Sequence, residues 1–248
     1  MSTSESLAGR VVLVTGAAKR LGAALARGVH AAGANVVIHY HRSQADAEHL
    51  RDELNTSRSD SAIATSANLL DVAQLPDIVE RANAAFGRLD VLINNASTFY
   101  PTPVGSISPV QWDDLLGTNL KAPLFLSQAA APLLKRSHGS IINMIDIHGQ
   151  RPLAAHPVYS SAKAGLAMLT RSLARELAPE IRVNGIAPGP ILWPEGGIDA
   201  ELQGSIIAKT QLKRQGSPND IVRTALFFAI DAPYVTGQIL AVDGGRSV

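Results

Sequence analysis

The sequence contains no cysteine. Disulfides, thiolate metal sites and cysteine nucleophiles are therefore excluded. No apolar run approaches the roughly 18 residues that a membrane span requires. The opening stretch MSTSESLAGR has neither the basic segment nor the apolar core of a secretory leader. Charge of either sign is also missing in excess: 22 basic residues stand against 21 acidic ones in 248. That balance offers no nucleic-acid groove and no polybasic membrane patch. The seven histidines lack HExxH or any other metal-ligand spacing, so they read as surface or cap positions and no metal is expected. There is no internal repeat, low-complexity tract or linker. The expectation is one cytoplasmic domain spanning residues 1–248.

What is present is an alternation. Short apolar runs at 10–15, 35–40, 61–67, 89–95, 140–145, 181–187 and 237–245 read as strands. Between them lie amphipathic segments of helical period at 21–33, 43–54, 71–86, 109–134, 158–178 and 218–230. Ser43 is the expected cap of the second helix and an acid that of the third, and interruptions are expected near Gly117 and Pro123. Several strand segments are almost continuously apolar, as a parallel sheet covered on both faces requires. Strand–helix alternation implies right-handed βαβ units, hence an α/β fold. Segment 189–216 is the one long irregular stretch, and a loop of that length in a compact domain is usually functional or mobile.

In VLVTGAAKRLG, Gly16 follows the first strand and Gly22 opens the first helix. Glycine lets the backbone approach a pyrophosphate, and the helix N-terminus offers unpaired N–H groups. A tight turn without a ligand would look the same. The second strand lacks the terminal carboxylate that would bind the ribose of NAD. It ends instead in HYHRS, with His41, Arg42 and Ser43, and the nearest acid is Asp46. Arg42 can pair with a 2′-phosphate and Ser43 can donate to it, with Lys19 and Arg20 adding charge, so NADPH is the expected cofactor. The alternative is a solvated basic loop.

YSSAK puts Tyr159 and Lys163 four residues apart, on one helix face. A phenol titrates near 10, and a neighbouring ammonium is expected to lower that value. Such a tyrosine can give a proton to a substrate. In GSIINMIDIHG, Asp146 follows an apolar strand. It is either a strand-end cap or a working acid.

Taken together, TGAAKRLG, NNAS (94–97), TNLKAP with Asn119, YSSAK, RVNGIAPGP (182–190) and VDGG (242–245) resemble the short-chain dehydrogenase/reductase family over essentially the whole chain. The resemblance implies a single Rossmann-like, doubly wound domain with seven parallel strands, usually assembled as a homotetramer. It implies that Tyr159 is the proton donor, that Lys163 binds the nicotinamide ribose and tunes Tyr159, and that Asn119 holds a water of the relay. The implied cofactor contacts are Gly16, Lys19, Arg20 and Leu21 in the first turn, then His41, Arg42 and Ser43. Asn68 and Leu69 follow, Asn68 standing where many members carry Asp. Asn95, Ala96, Ser97, Tyr159, Lys163, Pro188 and Gly189 complete the set.

Two of the family's usual residues are absent. Arg20 replaces a third glycine, and Asp146 replaces the serine that lies thirteen residues before the tyrosine. One subgroup makes both changes, the pteridine reductases, and the chain is similar to it also at HYHRS and NNASTFYPTP (94–103). That similarity implies that Phe99 stacks on one face of a pterin, with the nicotinamide on the other. Arg20 and Ser97 would bind pterin and cofactor phosphates, and Asp146 would work with Tyr159, either relaying the proton or only orienting the ring. A flat ring suits such a sandwich, and reduction of C=N bonds needs no serine clamping a carbonyl. Phe99 is otherwise a buried loop aromatic. Leu192 and Trp193, with Ile191, are candidate walls or lid; Trp193 fits an interface or core equally well. The expected activity is NADPH-dependent reduction of dihydropterins, with dihydrofolate and oxidised pterins as further candidate substrates. The alternatives are a carbonyl reductase acting on 3-oxoacyl thioesters or sugars, and a non-catalytic NADP-binding protein.

Overall fold

The computed structural model describes residues 6–194 and 196–248. Part of the stretch read for a leader (1–5) and Glu195 of the irregular segment lie outside the described residues.

The apolar runs form strands because their side chains face helices on both sides. β1 (Val11–Val14), β4 (Val91–Asn94) and β5 (Ser140–Met144) are buried at every position. With β2 (Asn35–Tyr40), β3 (Ala62–Ser66), β6 (Arg182–Pro188) and β7 (Ile239–Val242) they make one parallel sheet in the order β3-β2-β1-β4-β5-β6-β7. Alternate side chains enter opposite cores. Val12, Val14, Val36 and Ile38 pack into one. Val11, Leu13 and Val37 pack into the other. Leu13 is fully buried, so Leu13→Ala would cost about 2–5 kcal/mol.

The helices are α1 (Arg20–Ala31), α2 (Gln44–Ser57), α3 (Leu75–Phe86), α4 (Pro109–Leu116), α5 (Ala122–Ser137), α6 (Pro157–Glu176), α7 (Ala200–Ala208) and α8 (Pro218–Leu226). Asp71 caps the turn leading into α3 by accepting from the Ala73 N–H. The expected interruption of the fourth helix is a π turn, Gly117–Lys121, between α4 and α5. Such turns concentrate at functional sites, and this one carries Asn119.

Four details differ from expectation. Ser43 occupies the cap position of α2, but its side chain makes no capping bond. Segment 189–216 is not wholly irregular, since α7 lies within it, started by Asp199 accepting from the Glu201 N–H. β7 is shorter than 237–245. Finally, His30 and His39 are not surface residues: they are 5% and 2% exposed.

The sheet order reverses between β1 and β4. In open α/β sheets the crevice at the carboxyl ends of the strands beside such a reversal is where ligands bind. Thr15 pins that crevice. Its hydroxyl accepts from the N–H groups of Asn95 (2.9 Å) and Ala96 (3.0 Å), joining the end of β1 to the loop after β4.

Candidate active site

The first turn is built for close backbone approach. A Cβ on Gly16 would sit 2.9 Å from the Ala96 Cα, and one on Gly22 would sit 2.1 Å from the Gly16 carbonyl oxygen. Gly16 has φ 59° and Arg20 has φ 53°. The left-handed region suits glycine, so the arginine is held there at a cost of order 1–3 kcal/mol. Its guanidinium donates to the Trp193 carbonyl at 2.6 Å, tying this turn to the segment after β6. His39 braces the turn from beneath. It accepts from the Gly16 N–H at Nδ1 (3.2 Å), and its Nε2 lies 3.2 Å from the Ala67 carbonyl. A carbonyl only accepts, so Nε2 carries the proton and the ring is neutral. Burial lowers its pKa to about 4.

Above the turn lies a cleft of about 710 Å³. It gathers Gly16, Lys19, Arg20 and Leu21 from the first turn, and His41 and Arg42 from the end of β2. Asn68 and Leu69 join from after β3, and Asn95, Ala96 and Ser97 from after β4. Ser43, Pro188 and Gly189 are not part of its lining. Lys19 is already paired with Asp46 at 3.0 Å. The glycine cradle, helix N-terminus and free basic edge fit a dinucleotide.

At the cleft and beside it, five expected residues converge. The Tyr159 hydroxyl donates to Asp146 Oδ2 at 2.8 Å. Asp146 Oδ1 accepts from the His148 N–H at 2.8 Å, capping a short turn at Ile147–Gly149. One oxygen thus caps the turn while the other accepts from the phenol. Phe99 meets Tyr159 edge-on, with centroids 4.8 Å apart at 78°. Phe99 is 51% exposed, so it is not a buried loop aromatic. Ser97 donates to Asn119 Oδ1 at 2.6 Å. Asn119 in turn donates to the Thr98 and Leu115 carbonyls, each at 2.9 Å. Its side chain is therefore spent on holding the loop that presents Ser97 and Phe99.

Lys163 does not lower the pKa of Tyr159 as expected. Its Nζ donates to the Met144 carbonyl at 3.0 Å and stands 5.6 Å from the Tyr159 ring centroid. Burial lowers its pKa to about 8. Tyr159 is shifted upward, not downward. Burial first, then the charge of Asp146 and its hydrogen bond, raise the phenol well above its ordinary value, and the nearby Ser97 hydroxyl works weakly against them. The isolated site thus holds a neutral phenol against a carboxylate rather than a phenolate beside an ammonium.

Of the remaining expected residues, Leu192 is exposed and Ile191 buried. Trp193 is partly buried, joined to the site through its carbonyl bond with Arg20. Two residues were missed. His39 has the same strand parity as the buried Val37, a signal that its placement on the surface ignored. His156 stacks on Phe99, with centroids 4.7 Å apart at 10°, and only its place before Pro157 at a helix start marks it.

A family model described as enoyl-(acyl carrier protein) reductase matches residues 16–247. The chain belongs to the short-chain dehydrogenase/reductase family. It is 38% identical to pteridine reductase 1 of Leishmania tarentolae, over 96% of each chain. It is 35% identical to the 3-oxoacyl-(acyl-carrier-protein) reductase FabG of Staphylococcus aureus, over 94% of this chain and 96% of the relative. An uncharacterised oxidoreductase of Methylorubrum extorquens is also 35% identical, over 96% and 98%. As a family member the protein is an oxidoreductase that uses a nicotinamide cofactor on a small molecule. No helix among the described residues is long and apolar enough to cross a membrane.

Proposed function

We propose that the protein is an NADPH-dependent pteridine reductase that converts dihydropterins to their tetrahydro forms. The observation that carries this reading is the Tyr159–Asp146 hydrogen bond of 2.8 Å, beside the half-exposed ring of Phe99, which meets Tyr159 edge-on. A carbonyl substrate asks for a neutral donor to its oxygen. A carboxylate paired with the proton donor suits a substrate with ring N–H and amino groups, because Asp146 can accept from them. The similarity to pteridine reductase 1 supports the same choice.

Bound NADPH supplies the hydride. The first turn and the helix N-terminus behind it would bind the pyrophosphate, and Arg42, with Ser43 next to it just outside the cleft lining, would hold the 2′-phosphate. Lys163, whose Nζ donates to the Met144 carbonyl, would hold the nicotinamide ribose with its ammonium. Phe99 would hold the pterin plane on the side opposite the cofactor. As a ring carbon is reduced, its adjacent nitrogen becomes basic, and Tyr159 Oη gives it a proton. In the isolated site the phenol donates to Asp146, which keeps it protonated, consistent with the upward shift of Tyr159; on substrate binding the hydroxyl would turn from Asp146 to that nitrogen, and the phenolate left behind would take a proton back from solvent. Arg20 and Ser97 line the approach, and segment 189–216, with Leu192 and Trp193, forms the outer wall. The apolar strip of Val110, Trp112, Leu124 and Met168 on α4, α5 and α6 is where the expected homotetramer would assemble, and native mass measurement tests that.

Steady-state NADPH oxidation with dihydrobiopterin, dihydromonapterin and dihydrofolate tests the activity directly. Turnover of at least one is expected. An acetoacetyl thioester turned over faster than every pterin would establish a carbonyl reductase instead.

A further inference from the structure

Phe99 is the proposed wall for the pterin, yet it sits on a loop with half its surface in solvent. An exposed ring needs neighbours to hold its plane. Tyr159 touches it edge-on, and His156 lies flat against it at 4.7 Å and 10°.

The His156 ring is itself fixed. Its Nδ1 is 2.7 Å from the Ala154 carbonyl, which can only accept, so Nδ1 carries a proton and the ring cannot flip without losing that bond. The backbone beneath is a tight turn closed by the His156 N–H donating to the Leu153 carbonyl at 3.1 Å. Within it Ala155 adopts φ 59°, a region that side chains disfavour and that persists where surroundings enforce it. The enforcing contact comes from the Phe99 loop. The Thr102 N–H donates to the Ala155 carbonyl at 2.6 Å. His156 occupies the cap position of α6, the helix that carries Tyr159 and Lys163, but its side chain makes no capping bond. Capping therefore does not explain the residue. Stacking on Phe99 does.

We propose that His156 is a positioning residue of this site. Its ring backs Phe99 and sets the plane in which a flat heteroaromatic substrate lies over Tyr159. The inference rests on the pterin reading above and adds the residue that makes the aromatic wall rigid.

Three variants test it: His156→Ala, His156→Phe and His156→Leu. His156→Ala is expected to raise KM for a dihydropterin about 3- to 10-fold, the scale of one aromatic stack, with kcat less affected and NADPH Kd within twofold. His156→Phe should restore KM, because it keeps a flat face. His156→Leu should not, because bulk without a flat face is insufficient. An unchanged KM in His156→Ala overturns the inference, as does rescue by Leu equal to rescue by Phe, or an NADPH Kd that rises in step with KM. If His156→Ala fails to fold, the Phe and Leu pair still decides. Wild-type protein that turns over no pterin overturns the functional reading and this inference together. Wild-type turnover with an indifferent His156→Ala overturns this inference alone.

Discussion

Asp90 and Asp146 stand at opposite ends of neighbouring strands. Asp90 precedes β4 at the amino edge of the sheet, whereas Asp146 follows β5 at the carboxyl edge. Asp90 accepts from Arg88 Nε (2.8 Å) and Nη2 (2.6 Å) and from the Val11 N–H (2.8 Å). Its charge is matched and both oxygens are occupied. Asp146 accepts from one backbone N–H and one phenol, and among the described residues it has no ion pair. A carboxylate fully answered by a cation is committed to the fold. One left facing a phenol retains the capacity to accept from a substrate. The two acids show why a carboxylate at a strand end cannot be read without knowing which end it occupies.

The largest expected effect lies at the carboxyl edge. Tyr159→Phe removes the transferable proton, and Asp146→Asn removes the charge while keeping an oxygen for the His148 N–H. Each should lower kcat/KM for a dihydropterin by about 10²- to 10⁴-fold, the range of general acid–base catalysis. NADPH Kd should stay within about threefold, since neither group bonds the cofactor phosphates. Steady-state kinetics with fluorescence titration of NADPH checks this. An equal loss of cofactor affinity in Asp146→Asn would contradict its role.

The converse holds at the amino edge. Asp90→Ala strands the Val11 N–H and the Arg88 guanidinium. It should destabilise the fold by about 2–3 kcal/mol in urea unfolding, because a buried donor loses its partner. Turnover per folded molecule should not change. A fall in kcat at unchanged stability would break the comparison.

His39 sharpens it, because it is a buried titratable group at the carboxyl edge whose work is structural. Burial lowers its pKa from 6.5 to about 4 in the folded chain. Between those values the unfolded chain binds a proton that the folded chain does not. Stability is therefore fully present above pH 6.5 and is lost as pH falls toward 4, by at most about 3 kcal/mol. His39→Gln should be less stable at pH 7 yet lose less on going to pH 4.5. Parallel stability profiles for the two proteins, from urea titrations at several pH values, would refute the assignment.

The strands were legible because burial on both faces leaves unbroken apolar runs, as in Val11–Val14. α7 was not, because none of its residues is buried and it leaves no periodic trace beyond the Asp199 cap. At the site, the four-residue spacing of Tyr159 and Lys163 correctly put both on one helix face. Spacing does not say which atoms meet. Lys163 reaches back to the Met144 carbonyl, and Asp146 takes the phenol, so the shift of Tyr159 runs opposite to the one the spacing suggested. His156 was hidden for a related reason: its partner Phe99 is distant in sequence, and only the fold brings their rings together.

The smallest effect concerns charge that is neither buried nor catalytic. Three basic residues border the cofactor cleft, and two are engaged. Arg20 donates to the Trp193 carbonyl, and Lys19 pairs with Asp46. Arg42 forms no ion pair among the described residues and is exposed at the end of β2. A 2′-phosphate arriving there meets a guanidinium that breaks no existing bond to receive it, so Arg42 should set the cofactor preference. Arg42→Asp should weaken NADPH by about 10- to 100-fold, the worth of a charge-assisted hydrogen bond, with NADH little affected. Lys19→Ala should cost less than about threefold, because an exposed pair contributes little and its loss frees Asp46 to water. If both variants weaken NADPH equally, the 2′-phosphate sits between the two cations, and the end of β2 alone does not select the cofactor.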